Sequence, residues 1–478
     1  MYLQKASDGK SVVPCVINGE AVNLPDSQNF PVIQGSTGET VHYAQSATVE
    51  VATAAADASW KAFKFWKKTT VDERRDVLLR AADILERRGD EAAQRNTTET
   101  SASNRWTPFD VMYAAKQVRE AASCVTTAVH GTIPTSSDPE VTSLVFKEPI
   151  GPVLIIPPWN APLILAFRGI AHILAAGCSV VLKASEICPF THQIMLECLE
   201  EAGLPAGVVN QVQCARKDAA AVTEALIAHQ AIRKVEFIGS AAVGRIIGSV
   251  AAKHLKPVLM ELGDQSPAII LEDADLKAAA GMVVAGALAH HGQLCFGTER
   301  IIVVEKVKDA FTKELITAMN TIPEAGDASS AEAAKKAQEL ILEAVQDGAE
   351  FLAGKADLTG KSSLTPSILT NLNPKSRINH VESFAPTASL YVVKNAQEAL
   401  VRANETEFGL SASIWTQNYK RAIEFARELD FGQVQVNGMT MYADVHAPAT
   451  GYKGSGWGSN NGKHGIEEFL FNKWVSLR

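Results

Sequence analysis

The alternation that begins near Gly151 limits this chain more than any other feature. Short aliphatic and β-branched runs at 153–156, 179–182, 208–212, 234–238, 257–262 and 300–304 are separated by longer stretches of helical character. Strands buried on both faces read as continuous apolar runs, and a helix between successive runs supplies the crossover that a parallel sheet needs. The expectation is an α/β protein with parallel sheets covered by helices. Upstream, a helix is expected over 70–88. Thr70 and Glu73 have capping-box spacing, Val77, Leu78, Ala81 and Leu85 share one face, and Gly89 follows as a stop.

Size and charge narrow the partners. A chain of 478 residues has room for two or three domains at roughly 150 residues each. It carries 45 Lys and Arg against 53 Asp and Glu, a formal charge of −8, with no basic block. Nucleic acid is therefore not expected as a partner, because affinity there comes largely from Lys and Arg neutralising phosphates. A membrane is not expected either: a spanning helix needs about 20 apolar residues, and the stretch 161–182 is broken by Arg168 and His172. The first residues lack the charged, apolar, small order of a secretory signal. Seven cysteines without a CxxC pair suit a reducing compartment, so a cytoplasmic location is expected. No metal site is expected, since HExxH and clustered Cys/His spacings are missing.

In such sheets ligands bind beyond the carboxyl ends of the strands, so the residues after each run carry the functional signal. The run ending at Ile156 is followed by Pro157-Pro158-Trp159-Asn160-Ala161-Pro162, and the next by Lys183-Ala184-Ser185-Glu186. Two later runs lead into Gly239-Ser240-Ala241-Ala242-Val243-Gly244 and Glu261-Leu262-Gly263. Singly, each has a plain structural reading as a glycine turn into a helix or a solvated Lys/Glu pair. Among the cysteines, Cys295 stands apart: it lies in His290-His291-Gly292-Gln293-Leu294-Cys295-Phe296-Gly297, just ahead of a predicted strand. There, free backbone amides can favour an exposed thiolate.

Taken in order, these motifs resemble the NAD(P)-dependent aldehyde dehydrogenase superfamily. The resemblance runs through Pro158-Trp159-Asn160, Lys183 with Glu186, Phe237-Ile238-Gly239-Ser240, Glu261-Leu262-Gly263, Gly292-Gln293-Leu294-Cys295, Glu382-Ser383-Phe384-Ala385-Pro386, and Asn404 with Gly409-Leu410-Ser411-Ala412. Thr298-Glu299-Arg300 and the C-terminal Gly454-Ser455-Gly456-Trp457-Gly458 are similar to the branch oxidising vanillin, salicylaldehyde and benzaldehyde.

The resemblance implies two Rossmann-like parallel-sheet α/β domains and a small β oligomerisation flap. The cofactor domain would take 1–125 and 148–260, the catalytic domain 261–460, and the flap 126–147 with 461–478. A homodimer or homotetramer is expected, because an isolated hairpin is marginal in water. Cys295 would attack the aldehyde, Asn160 and the Cys295 amide would hold the oxyanion, and Glu261 would activate the water that hydrolyses the thioester. The resemblance places the cofactor against Ile156, Pro158, Trp159, Lys183, Glu186, Gly239, Ser240, Gly244, Leu262, Gly263, Glu382 and Phe384. NAD is expected rather than NADP, because Glu186 would repel a 2′-phosphate.

A coenzyme A-acylating relative would use the same cysteine but generally lacks the glutamate at the Glu261 position. A scaffold without turnover would have no need of Asn160, Glu261, Cys295 and Glu382 together. Arg168 stands about two helical turns beyond Asn160 in an otherwise apolar stretch, where a charge needs a partner. It either pairs with an acid such as Asp444, lies at a subunit contact, or points into an aldehyde tunnel. The tunnel walls are expected from Trp106, Met112, Leu294, Phe296, Met439, Tyr442 and His446. Asp264 stands where most relatives carry glycine, Ala385 where glycine usually precedes proline, and Ala449-Thr450-Gly451 where Phe-Gly-Gly is common. Asp264 adds a charge three residues from Glu261 and is expected either to alter the approach to the tunnel or to act on the Glu261 carboxyl through its charge.

Overall fold

The computed structural model describes residues 2–321 and 326–478. Its first sheet has five parallel strands at its centre, in the spatial order Val258–Glu261, Lys234–Ile238, Val153–Ile156, Val180–Lys183, Val209–Val212. The order reverses between Lys234–Ile238 and Val153–Ile156: from the latter, successive strands step one way, and the two later strands lie on the other side. Such a switch point opens a crevice beyond the strand ends. The crevice lies where the sequence places Pro158-Trp159-Asn160 and Gly239-Ser240. The observed strands agree with the sequence reading at 153–156 and 234–238 and differ by one or two residues elsewhere.

The second sheet carries six parallel strands, Ser367–Thr370, Thr387–Val393, Thr298–Val304, Ser266–Ile270, Ser411–Trp415 and Gln433–Val436, with Glu350–Gly354 antiparallel at one edge. A two-stranded ribbon pairs Thr142–Pro149 with Leu470–Leu477. Between the first sheet and the long helix Thr107–Ala128 lies the helix Pro162–Ala175, all of whose residues are buried. Among the described residues no helix is long and apolar enough to cross a membrane.

Three boundaries differ from expectation. Gly456–Trp457, inside the range expected for the catalytic domain, pairs antiparallel with Val258–Glu261, with Glu261 opposite Gly456. The chain thus returns to cover an edge of the first sheet that would otherwise present unpaired backbone groups. The helix expected to give way to a flap at 126 continues to Ala128, because Val118, Ala121, Ala122, Val125 and Ala128 keep one buried face. The helix Val71–Arg87 has the capping box, but Gly89 does not stop it with a left-handed turn; it opens the next helix, Gly89–Thr100. The left-handed cap comes at Ser101 instead (φ 62°).

Candidate active site

Two clefts meet at Asn160, Leu165, Glu261 and Cys295. Asn160 follows the strand Val153–Ile156, Glu261 ends the strand Val258–Glu261, and Cys295 comes from the segment that leads into the second sheet. The site therefore needs both sheets.

The Cys295 segment is held tightly. His290, His291 and Gly292 are all left-handed (φ 50°, 60° and 70°), and a Cβ on Gly292 would lie 2.0 Å from the Ala385 carbonyl oxygen, so only glycine fits there. The Gln293 amide nitrogen donates to the carbonyls of His290 and Asp327, both at 3.1 Å, and its Oε1 accepts from the Ser329 amide at 2.9 Å. His291 Nε2 accepts from the Leu364 amide at 3.0 Å. Asn160 Nδ2 donates to the Gln293 carbonyl at 2.9 Å, which fixes its amide beside the cysteine. These struts were missed in the sequence; the pairing of Gln293 with Asp327 and Ser329 has no local signal.

Cys295 Sγ lies 3.7 Å from Glu261 Oε1 as a donor. Burial pushes the Cys295 thiol well above its ordinary value, and the Glu261 and Glu382 carboxylates push it the same way, so at neutral pH it rests as a thiol. The loop is expected to favour a thiolate, whereas burial first, and the nearby acids after it, favour the thiol. Arg168 Nη2 donates to Glu261 Oε2 at 2.6 Å, with side-chain exposures of 5% and 7%. Burial pulls the Arg168 value down, but the charges of Glu261 and Glu236 more than offset this, and the net direction is up. The suggested partner Asp444 is replaced by Glu261; the guanidinium also lines the aromatic cleft.

One cleft is bounded by Pro158, Trp159, Gly239, Ser240, Leu262, Gly263, Glu382 and Phe384. Ser240 caps the helix Ala241–Lys253, and Gly244 packs so closely on Leu262 that a Cβ would come within 2.6 Å. A Cβ on Gly263 would stand 2.3 Å from the Glu382 carboxylate. Phe384 (φ 50°) meets Trp159 edge-on at 6.0 Å, and its backbone N–H donates to Glu299, as do the Ser383 N–H and hydroxyl. Burial lifts the Glu299 carboxyl to about 7. A helix N-terminus facing glycine backbone, an acid and flat aromatic walls fits a nicotinamide dinucleotide. Ile156 ends the central strand; Lys183 ends the neighbouring one, and Glu186 follows it, both outside the lining of the two clefts.

The other cleft is walled by Trp106, Phe109, Tyr113, Leu294, Phe296, Met439, Met441 and Tyr442, with Arg168, Gln117, Gln433 and Asn461 among its polar groups. Trp106 stacks on His290, with centroids 4.7 Å apart. Two expected wall residues lie elsewhere. Met112 is 44% exposed, because the helix turns Trp106, Phe109 and Tyr113 toward the cleft and Met112 away from it. His446 faces solvent and pairs with Glu120 at 2.8 Å. Asp264, expected near the tunnel, is instead buried and accepts from the Leu410 and Ser411 amides at 3.2 and 3.0 Å, anchoring the segment that links the two sheets to the start of the second-sheet strand Ser411–Trp415. Phe109, Tyr113, Gln117 and Asn461 were missed; Phe109 and Tyr113 share helical spacing with Trp106, the one available signal.

The sequence model described as "Aldehyde dehydrogenase family" matches residues 23–475. The chain is 41% identical over 475 residues to a vanillin dehydrogenase from Pseudomonas fluorescens, covering 98% of both chains. It is 35% identical to a salicylaldehyde dehydrogenase from Pseudomonas sp. (strain C18), covering 96% of this chain and 97% of that one. The structure of a salicylaldehyde dehydrogenase from Pseudomonas putida G7 complexed with salicylaldehyde superimposes with a TM-score of 0.94 at 33% identity, covering 98% of each chain.

Proposed function

The chain belongs to the aldehyde dehydrogenase family, whose members use nicotinamide cofactors, and we propose that it oxidises hydroxylated aromatic aldehydes to the carboxylic acids with NAD. The observation that carries this is the meeting of an aromatic-walled cleft and a glycine-lined one at Cys295, with Arg168 as the cationic group in the former.

Glu261 accepts the Cys295 proton across the 3.7 Å contact, and the sulfur adds to the aldehyde carbon. The resulting oxyanion is held by the Asn160 amide and the Cys295 backbone N–H, fixed before the substrate arrives. A bound nicotinamide dinucleotide supplies the hydride acceptor. Lost hydride leaves a thioester on Cys295. Glu261 then takes a proton from water, hydroxide adds to the thioester carbon, and the C–S bond breaks to release the acid. Arg168 holds Glu261 through one edge of its guanidinium and offers charge to a ring oxygen in the cleft.

Glu186, beyond the strand Val180–Lys183, supports NAD over NADP, since its carboxylate would repel a 2′-phosphate. The ribbon Thr142–Pro149 with Leu470–Leu477 exposes Phe146 and Trp474, which supports a homodimer or homotetramer. Reduced-cofactor absorbance with a panel of aromatic and aliphatic aldehydes, with NAD or NADP and with or without coenzyme A, tests the reading. Acid formation with hydroxybenzaldehydes and NAD is expected; faster turnover of short aliphatic aldehydes, or dependence on coenzyme A, would overturn it.

A further inference from the structure

Behind the Glu261–Arg168 pair lies a second acid that the reaction above does not use. Glu236 sits mid-strand in Lys234–Ile238, fully buried, and neither carboxylate oxygen has a protein partner. Laterally paired residues of a parallel sheet share a face, and side chains two apart along a strand do too. With Leu259 opposite Glu236 and Glu261 opposite Ile238, the groups Lys234, Glu236 and Glu261 occupy one face of the sheet. The helix Pro162–Ala175 covers that face, with Gly169 directly over Glu236. A Cβ on Gly169 would lie 2.5 Å from Glu236 Oε2, so the carboxylate occupies the space a side chain would take, one residue from Arg168. Arg168 Nε and both ring nitrogens of His172 are also buried without protein partners.

Buried polar atoms without protein partners are commonly bridged by internal water, and these five belong to three residues on adjoining elements. At the far end, Lys234 Nζ donates to Glu468 Oε2 at 2.6 Å, and Glu468 reaches the surface with a side-chain exposure of 23%. We propose that Glu236 receives protons from Glu261 through water held among Arg168, His172 and Glu236, and passes them out by the Lys234–Glu468 pair. Glu236 is thus a positioning residue for protons, and the proposal rests on Glu261 being the base.

The reaction needs such an exit. Glu261 first takes the thiol proton and must lose it before it can accept one from water; the departing thiolate is later reprotonated and the product acid ionises. Two protons per turnover reach solvent. The charged groups acting on Glu236 are Arg168 from the helix, Lys234 on its own strand, Glu261 on the neighbouring strand, and Glu468 beyond, while His172 lies one helical turn past Arg168 with its ring against Gly465. Burial lifts its carboxyl to about 7, Arg168 opposes that and Glu261 adds to it, so Glu236 can both take and give a proton near neutrality. His172 stays neutral, held down to about 3 by burial and by Arg168.

The test uses 4-nitrophenyl acetate, which acylates Cys295 without cofactor and reports acylation and deacylation separately. In Glu236→Gln the nitrophenolate burst should keep its wild-type amplitude while the steady-state rate falls at least tenfold and its pH dependence flattens. Glu236→Asp, which can still carry a proton, should recover much of the loss, and thermal melting checks that both variants are folded. Wild-type deacylation in Glu236→Gln, or equal loss of burst and steady state in a folded variant, overturns the proposal. Glu261→Gln run alongside separates the two claims: if it deacylates normally, the base assignment itself fails.

Discussion

Replacing Arg168 by leucine should damage two separable properties. Its Nη2 donates to Glu261 Oε2 at 2.6 Å with both side chains nearly inaccessible, so the variant leaves a carboxylate in an apolar interior without its counter-charge. Removing one member of a buried pair costs about 3–5 kcal/mol. At about 2.1 cal/mol/K of unfolding entropy per residue, a chain of 478 residues has roughly 1 kcal/mol/K, so the melting temperature should drop by about 3–5 °C. Arg168→Leu with Glu261→Leu removes both charges and should recover most of that drop. In catalysis, every aldehyde should lose rate, because Glu261 is no longer held. A hydroxylated benzaldehyde should lose a further ~1.5–3 kcal/mol from the missing charge-assisted hydrogen bond, or about 10- to 150-fold in kcat/KM. Steady-state kinetics on benzaldehyde and a hydroxybenzaldehyde, alongside melting curves, read both effects. Equal losses for the two substrates would refute the substrate role of Arg168, and an unchanged melting temperature would refute the cost assigned to the unpaired acid.

Cys295→Ala should abolish turnover while NAD affinity, read by fluorescence titration, stays within about twofold, because the thiol stands only where the two clefts meet and acts as nucleophile, not as a hold on the dinucleotide. Because burial and neighbouring carboxylates raise the Cys295 thiol, and the deprotonated sulfur is the nucleophile, the acylation burst rate should climb between pH 7 and 9, by up to about tenfold per unit; a flat profile would contradict a resting thiol. NAD should exceed NADP in kcat/KM, and Glu186→Ser should narrow the gap; equal efficiencies in the wild type would count against the role given to Glu186.

The sheet strands were legible because burial on both faces leaves an unbroken apolar run, and the site's parts because they follow those strands at the sheet's functional edge. What sequence could not supply was long-range pairing. Arg168 finds Glu261 across 93 residues, and Asp264 reaches the Leu410 and Ser411 amides 146 and 147 residues away, so an acid three positions from Glu261 serves as a structural anchor for the segment that enters the second sheet. Met112 and His446 were misplaced by treating neighbours of pocket residues as pocket residues, when one side of a helix and the turn after Asp444 point them to solvent. Glu236 did leave a signal: an acid inside a central strand has no solvated face to occupy.

The central claim is that an aromatic aldehyde is oxidised while bound to Cys295 and released by Glu261. Glu261→Gln incubated with NAD and a hydroxybenzaldehyde tests it most directly, by stopped-flow absorbance followed by intact and peptide mass spectrometry. A slowed burst is expected, because Glu261 also takes the thiol proton, but it should still approach one equivalent of reduced cofactor and leave a stalled hydroxybenzoyl group on Cys295. Reduced cofactor without an adduct, an adduct on another residue, or wild-type steady turnover would contradict the roles given to Cys295 and Glu261.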